Sequence, residues 1–246
     1  MSEAGQTLRR AALLACMVVL AGTSQLLAGS AVEDKTKAGN AVGGGSNWQT
    51  SVTNKGGSIA TLDDKQAAAL KDINAYFNAI GDLRGKFLQT DAQQQQQKGE
   101  FYIKRPGKFR FVYGAPSQLV ILSDGETLSF EDYDLKKADR YPVESSPFRI
   151  LLGKDVNIDR DANIKELSVA EDLVSITLQD KSPDSEGQIQ LFFVKAGGKM
   201  EIKEWQITGP QGDNTRVEVA NIERDKPVDP SYFANAPLEL QTKQNK

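Results

Sequence analysis

The feature that most constrains this chain is a long series of short segments, beginning after Gly85, in which apolar and polar residues alternate. A period of two is typical of β-strands that bury one face. Turn-forming pairs such as Lys-Gly, Pro-Gly and Asp-Gly separate the segments. We predict about eleven strands, near residues 86–91, 98–104, 108–113, 118–122, 126–132, 136–141, 163–169, 172–178, 188–194, 199–207 and 214–222. Successive hairpins with few helices predict an antiparallel meander, closed or nearly closed into a barrel-like shape.

Two apolar segments depart from this alternation. The first begins near a capping Asp63 or Asp64 and continues to Gly81, with apolar residues at helical spacing. These residues are Leu70, Ile73, Phe77 and Ile80. The second, residues 147–153, is apolar and begins with proline, which favours a short helix. Since neither segment belongs to the meander, both helices are free to cover its mouth.

The first 31 residues have the features of a secretory signal peptide. Arg9 and Arg10 precede an apolar run over residues 11–20, and small residues follow up to Ala31. The apolar run is shorter than the roughly 20 residues that a membrane-spanning helix needs. We therefore expect export, with cleavage near Ala31.

Two other interpretations of this segment stay open. The arginine pair could belong to a twin-arginine signal, although nothing else around it favours that route. Cys16 follows Leu-Leu-Ala, which faintly resembles a lipidation site. It lies in the middle of the apolar run, however, so we favour a cysteine that is removed with the signal peptide.

The chain has no histidine, and Cys16 is its single cysteine. A mature chain without either residue has no Ser-His-Asp triad, no Cys-His pair and no common zinc site. Its formal net charge of −3 gives no reason to expect nucleic acid. A hydrolase with two carboxylates about 5–9 Å apart in a polar cleft remains as an alternative. We expect a protein that is not an enzyme and needs no cofactor or metal.

The mature chain has two regions of different composition. Residues 32–60 are rich in Gly, Ser, Asn, Thr and Lys, which predicts a flexible tail. Residues 61–240 contain the predicted helices and strands, and we expect them to form one domain. This domain has no cysteine, so its core must stabilise it without a disulfide.

The segment Gly99–Pro106 places an arginine in an unusual position. Period two puts Phe101, Ile103 and Arg105 on one face of the strand, with Arg105 at the strand end. A guanidinium is always charged and has five donors, so it must find acceptors. It could extend from the rim into water. Alternatively, it could bond backbone carbonyls of whatever covers the mouth.

Several short pieces of the chain, in their order and spacing, resemble a known family. They are Phe87-Leu-Gln89; Gly99 through Arg105-Pro106; Phe109-Arg-Phe111; Ser123-Asp124-Gly125; Leu128-Ser-Phe130; Ser146-Pro147-Phe148 with Leu151-Leu152; and Phe233 through Pro237. Together they are similar to the periplasmic outer-membrane lipoprotein carrier family, the LolA type, over roughly residues 64–237. Two positions depart from that family: Ser129 stands where tryptophan is frequent, and Arg149 where an apolar residue is usual.

The resemblance implies a mainly β fold with a helical lid (α+β): an unclosed antiparallel β-barrel of about eleven strands covered by helices. Residues 61–240 would then be a lipoprotein-carrier domain. Its implied function is to bind the acyl chains of lipoproteins in an apolar groove, in the periplasm. The implied partners are acylated lipoproteins, an inner-membrane lipoprotein-releasing ABC transporter and an outer-membrane lipoprotein acceptor, and we expect a monomer.

The resemblance also assigns roles to residues. Arg105 matches the arginine that holds the lid shut until cargo enters. The positions that match the acyl-chain groove are Leu83, Phe87, Phe109, Phe111, Ile121, Phe130, Phe148 and Leu151. An alternative within the same fold is a module that senses lipids or lipoproteins and regulates a membrane partner.

Overall fold

The computed structural model describes residues 61–146, 148–182 and 187–236. The predicted signal peptide (1–31), the predicted tail (32–60) and residues 237–240 of the predicted domain lie outside the described residues.

Eleven antiparallel strands form one sheet. Their bounds are β1 Asp82–Thr90, β2 Gln96–Lys104, β3 Lys108–Tyr113, β4 Leu119–Asp124, β5 Thr127–Asp132, β6 Lys137–Pro142, β7 Ala162–Val169, β8 Leu173–Asp180, β9 Gln188–Ala196, β10 Lys199–Thr208 and β11 Asn214–Arg224. The order across the sheet is β6-β5-β4-β3-β2-β1-β11-β10-β9-β8-β7. Because β6 and β7 lie at opposite ends of this order, the barrel is unclosed. The predicted fold class is confirmed.

The sheet consists of two meanders joined side by side. Strands β1–β6 and strands β7–β11 each pair with their sequence neighbours, and the β1–β11 pair joins the two sets. Residues 143–161 link β6 to β7 and contain the short helices α2 (Arg149–Leu152) and α3 (Ile158–Asp161). The structure places a helix within the predicted segment 147–153, whereas α3 was not predicted.

The first strand begins earlier than predicted, at Asp82 and not near residue 86. We took Gly85 as a boundary, but it lies inside β1, where the pairing with β11 shifts register between Arg84 and Lys86. A Cβ atom at Gly85 would lie 2.8 Å from the ring of Phe101. Glycine is therefore required here by close approach of a neighbouring ring, and it does not end the strand.

Helix α1 (Asp64–Asn78) forms close to where helical spacing predicted it. The side chain of Asp63 accepts a hydrogen bond from the amide of Gln66 (2.8 Å), and the Gln66 side chain accepts one from the Asp63 amide (3.1 Å). This capping box fixes the start of the helix. The buried residues of α1 are Ala69, Leu70, Ile73, Tyr76 and Phe77. They pack against one face of the sheet, which we call the inner face.

The C-terminal segment covers part of the opposite, outer face. It follows β11, includes a 3-10 helix over Pro230–Phe233 and contacts β3 and β4. We call residues 228–236 the strap. Phe233 is its most deeply buried side chain, 1% exposed. On β5, Glu131 is also buried and accepts a hydrogen bond from the amide of Ala236 (2.7 Å).

Candidate functional site

An apolar cavity lies between α1, α2 and the inner face of the sheet. Its volume is about 620 Å³, counting the part that is open to solvent. The lining residues are Tyr76, Phe77, Ile80, Leu83, Phe101, Ile103, Phe109, Phe111, Phe148, Leu151, Leu152, Ile189, Leu191, Ile202, Trp205, Val219 and Ile222. None of them is charged, so the cavity suits a hydrocarbon ligand and offers no carboxylate pair for a hydrolase.

The structure brings together five of the eight residues that we assigned to the groove. Leu83, Phe109, Phe111, Phe148 and Leu151 line the cavity. They come from β1, β3, residue 148 just before α2, and α2 itself, so strand alternation and the short helix converge on the same space. Phe148 and Phe109 lie with ring centroids 5.8 Å apart, which places the start of α2 directly against the sheet.

The other three predicted groove residues do not line the cavity. Phe87, Ile121 and Phe130 are buried in the same hydrophobic core. The ring of Phe87 packs edge-on against Phe111 at 5.3 Å and Tyr113 at 5.0 Å, behind the cavity wall. These residues support the residues that line the space.

Sequence reasoning missed the whole part of the cavity wall that β9 and β10 form. Ile189 and Leu191 alternate along β9, a pattern that could have identified them. On β10 the pairing with β9 shifts register between Ile202 and Glu204. This bulge puts Ile202 and Trp205 on the same face although they are three residues apart. Strict alternation therefore excludes Trp205, and the sequence offers no signal of the bulge.

Arg105 lies just beyond the end of β2 and reaches the helices that cover the cavity. Its Nη1 group donates to the carbonyl of Phe77 at the end of α1. Its Nη2 group donates to the carbonyl of Gly153 after α2, and lies 3.3 Å from the carbonyl of Lys154. One guanidinium thus joins both covering segments to the sheet. Its acceptors here are neutral carbonyls.

The partial burial of Arg105 disfavours the charged form of its guanidinium group. Burial lowers the pKa of Arg105, and the carboxylate of Asp155 acts in the opposite direction. An arginine nevertheless stays protonated at any physiological pH. The cost of desolvating this cation makes the covering arrangement less stable than its hydrogen bonds alone would suggest.

Two asparagines of α1 bind the segment that follows α2. The amide group of Asn78 donates to the carbonyl of Val156 and its oxygen accepts from the Val156 amide, both at 2.9 Å. The Asn74 oxygen accepts from the amide of Ile158 at 3.0 Å. These contacts join α1 and residues 148–161 into one covering unit, which we call the lid.

A second arginine fixes the lid to the sheet at a different point. Arg149, one of the two departures from the family pattern, forms an ion pair with Asp180 at the end of β8. The Asp180 side chain is 1% exposed and also accepts from the Ser182 amide (2.7 Å). The acceptor of Arg149 is thus a buried carboxylate, whereas the acceptors of Arg105 are neutral carbonyl groups.

In the part of the chain that the structure describes, no three His, Cys, Asp or Glu side chains are grouped so that they could hold a metal ion. Over the same residues, no helix is both long enough and apolar enough to span a membrane.

The chain is similar to known proteins of one family. The family model described as "Outer membrane lipoprotein carrier protein LolA" matches residues 78–236. An outer-membrane lipoprotein carrier protein of Chromobacterium violaceum is 29% identical over 70% of this chain and 85% of its own length. One of Alkalilimnicola ehrlichii is 27% identical over 74% of this chain and 86% of its own length.

Among solved structures, a LolA superfamily protein from Nitrosomonas europaea aligns with a TM-score of 0.39 and 7% identity, over 68% of this chain and 97% of that one. Membership follows from the family model, which covers well over half of the chain. This protein belongs to the LolA family of outer membrane lipoprotein carrier proteins.

Proposed function

We propose that this protein is a periplasmic carrier that binds the acyl chains of lipoproteins in the cavity beneath the lid. It would take its cargo from an inner-membrane lipoprotein-releasing ABC transporter and deliver it to an outer-membrane acceptor. The observation that supports this best is a cavity lined by aliphatic and aromatic side chains without a charged group.

The energetics of acyl chains explain why such a cavity is needed. Each methylene that leaves water gains about 0.8 kcal/mol, so a sixteen-carbon chain gains about 12 kcal/mol. A lipoprotein with such chains would leave a membrane extremely slowly without an apolar site to enter. A carrier must also release its cargo, which favours a site that is apolar but not tightly closed around the chain.

The size of the cavity indicates that the lid moves. The figure of about 620 Å³ includes space that is open to solvent, so the enclosed part of the cavity is smaller. A cargo with several acyl chains needs more room than this. We propose that the bonds from Arg105 to Phe77 and Gly153 break as cargo enters. Water can then solvate both the guanidinium and the carbonyls.

The test uses two substitutions at adjacent positions of β3. Phe111 lines the cavity, whereas the neighbouring Val112 points to the outer face; both are half-buried. We expect Phe111→Asp to weaken uptake of a purified triacylated lipoprotein by more than about tenfold, because a charge would be buried beside the chains. Val112→Asp should leave uptake unchanged. Loading from proteoliposomes that contain the lipoprotein and its ABC transporter measures both.

Circular dichroism and urea unfolding of both variants separate loss of binding from loss of fold. If folded Phe111→Asp protein takes up cargo as well as Val112→Asp protein does, the cavity is not the acyl-chain site. Native mass spectrometry of the protein purified from its own cell envelope gives an independent check, because bound acylated cargo would remain attached.

A further inference from the structure

One residue of the cavity wall has a buried polar side-chain atom without a hydrogen-bond partner. Trp205 is 8% exposed and lines the cavity, and its indole Nε1 group is buried without an acceptor. Six other residues in the described part of the chain have such atoms: Arg105, Arg140, Arg149, Asp180, Arg216 and Asn235. None of these six lines the cavity. Among the described residues that line the cavity, Trp205 is the one whose polar side-chain atom has no partner.

The other polar group among the lining residues is already bonded. The hydroxyl oxygen of Tyr76 accepts from Nη2 of Arg224 at 2.9 Å and lies 3.3 Å from the amide nitrogen of Ile202. The guanidinium of Arg224 also lies over the Tyr76 ring, 4.9 Å from its centroid. Tyr76 thus fixes the position of α1 against β10 and β11. Trp205 has no comparable structural bond.

The surroundings of the indole place it between the sheet and the lid. Its ring packs edge-on against Phe111 of β3, with centroids 6.1 Å apart, and against Phe148 of the lid, at 6.3 Å. A ligand that displaces Phe148 would contact the indole. Buried donors in native proteins are nearly always paired, so an unpaired one at a binding site calls for an acceptor on the ligand.

We propose that the Trp205 Nε1–H group donates a hydrogen bond to the carbonyl oxygen of an ester or amide at the head of a bound acyl chain. This inference rests on the proposed function and adds a specificity to it. The indole nitrogen is a donor only, so the matching ligand atom must be an acceptor. The apolar walls bind any hydrocarbon, whereas Trp205 distinguishes an acyl group from an alkyl group of the same length.

The experiment compares two ligands that differ in their carbonyl groups. Dioctanoylglycerol has two ester carbonyls, and dioctylglycerol has ether linkages and chains of equal length. The protein carries Trp48→Phe, which leaves Trp205 as its only tryptophan. Isothermal titration calorimetry should show that the ester binds about fivefold more tightly than the ether, the effect of one neutral hydrogen bond of about 1 kcal/mol.

The matched variant removes the N–H group and keeps the ring. Replacing Trp205 by benzothienylalanine puts sulfur in place of the N–H, so packing is preserved. We expect the ester to lose its advantage while the affinity for the ether is unchanged. Trp205→Phe should also lose the preference, with weaker binding of both ligands because ring area is lost.

Each outcome has one meaning. An ester preference that persists in the benzothienylalanine protein overturns the role of Trp205, as does equal binding of both ligands by the unmodified indole. Those results would leave acyl-chain binding intact. If neither ligand binds to any of the proteins, the proposed function fails together with this inference.

Discussion

The two faces of the sheet are covered in different ways. On the inner face the lid encloses a cavity, and Arg105 ties it to the sheet through carbonyl oxygens. On the outer face the strap buries Phe233 and provides an amide to the buried carboxylate of Glu131. Opening the lid would expose a space that cargo can fill. Removing the strap would expose the apolar surface that packs against Phe233 and would take from Glu131 the hydrogen bond of the Ala236 amide.

This difference indicates that the lid can leave the sheet more easily than the strap can. Close packing makes a covering costly to remove, whereas a cavity beneath it lowers that cost because fewer contacts are lost. The lid itself has two kinds of attachment. Arg149 pairs with the buried Asp180, while Arg105 bonds only neutral groups. We therefore expect α2 to stay attached at Arg149 when the Arg105 end is released.

The largest expected effect is at the strap. Phe233→Ala should lower the free energy of unfolding by about 3–5 kcal/mol, the usual cost of deleting a buried phenylalanine ring. The neighbouring Tyr232 is 47% exposed and packs edge-on against Tyr102 at 5.2 Å, so Tyr232→Ala should lower it by only about 1 kcal/mol. Urea unfolding measures both. A Phe233→Ala protein as stable as Tyr232→Ala would show that the strap is not packed as described.

The next effect concerns the fixed attachment of the lid. Arg149→Met should cost about 2–3 kcal/mol, somewhat less than the 3–5 kcal/mol typical of a fully buried pair, because the arginine is 24% exposed. The control is Arg160→Met on α3, whose ion pairs lie at the surface and should contribute little to stability. Equal losses in the two variants would show that the Arg149–Asp180 pair holds the lid no more firmly than a surface ion pair does.

The releasable attachment should be weaker. Arg105→Met should cost about 1–2 kcal/mol, since it removes charge-assisted bonds but also the desolvation of the cation. Hydrogen exchange should become faster at the C-terminal end of α1 and stay unchanged in the strap. Arg105→Lys keeps the charge but loses the forked geometry, so its loss of stability should be smaller than that of Arg105→Met. Faster exchange in the strap as well would mean that the two coverings are coupled.

The smallest effect is a response to acid at the strap. Hydrogen bonding lowers the pKa of Asp229, which caps the 3-10 helix by accepting from the Ser231 amide. Burial acts to raise the pKa of Asp82. The Val228 amide and the side chain of Lys104 outweigh it, so that pKa is also lowered.

A carboxylate with a lowered pKa in the folded state stabilises the fold above its unfolded value of about 4 and loses this contribution as pH falls through the lower value. The strap should therefore loosen below about pH 4. The Arg105 bonds do not titrate there, because their partners are carbonyls. Proteolysis or hydrogen exchange near Val228 at pH 5 and pH 3 tests this. Equal protection at both values would contradict it.

The strands were predictable because their chemistry is local. In β2 and β3, alternation is strict, and it places Phe101, Phe109 and Phe111 correctly on the inner face. The helix α1 was predictable for the same reason, since Asp63 and Gln66 cap it within one turn.

What could not be predicted depends on contacts between distant parts of the chain. The bulge that turns Trp205 inward is set by pairing between β10 and β9. The strap is short and its apolar residues follow no regular spacing, so only its contact with the outer face reveals the burial of Phe233. The two interpretations of Arg105 likewise differ only in what lies above the strand end, and the alternation in β2 does not determine that.

The connection between β6 and β7 has a mechanical consequence. The two strands are the free margins of the sheet, and residues 143–161, which run from one margin to the other, contain the part of the lid that contributes Phe148, Leu151 and Leu152 to the cavity wall. Spreading the margins apart must stretch this connection, and lifting the connection must let the margins relax. The distance between β6 and β7 should therefore increase with the amount of cargo that the cavity holds.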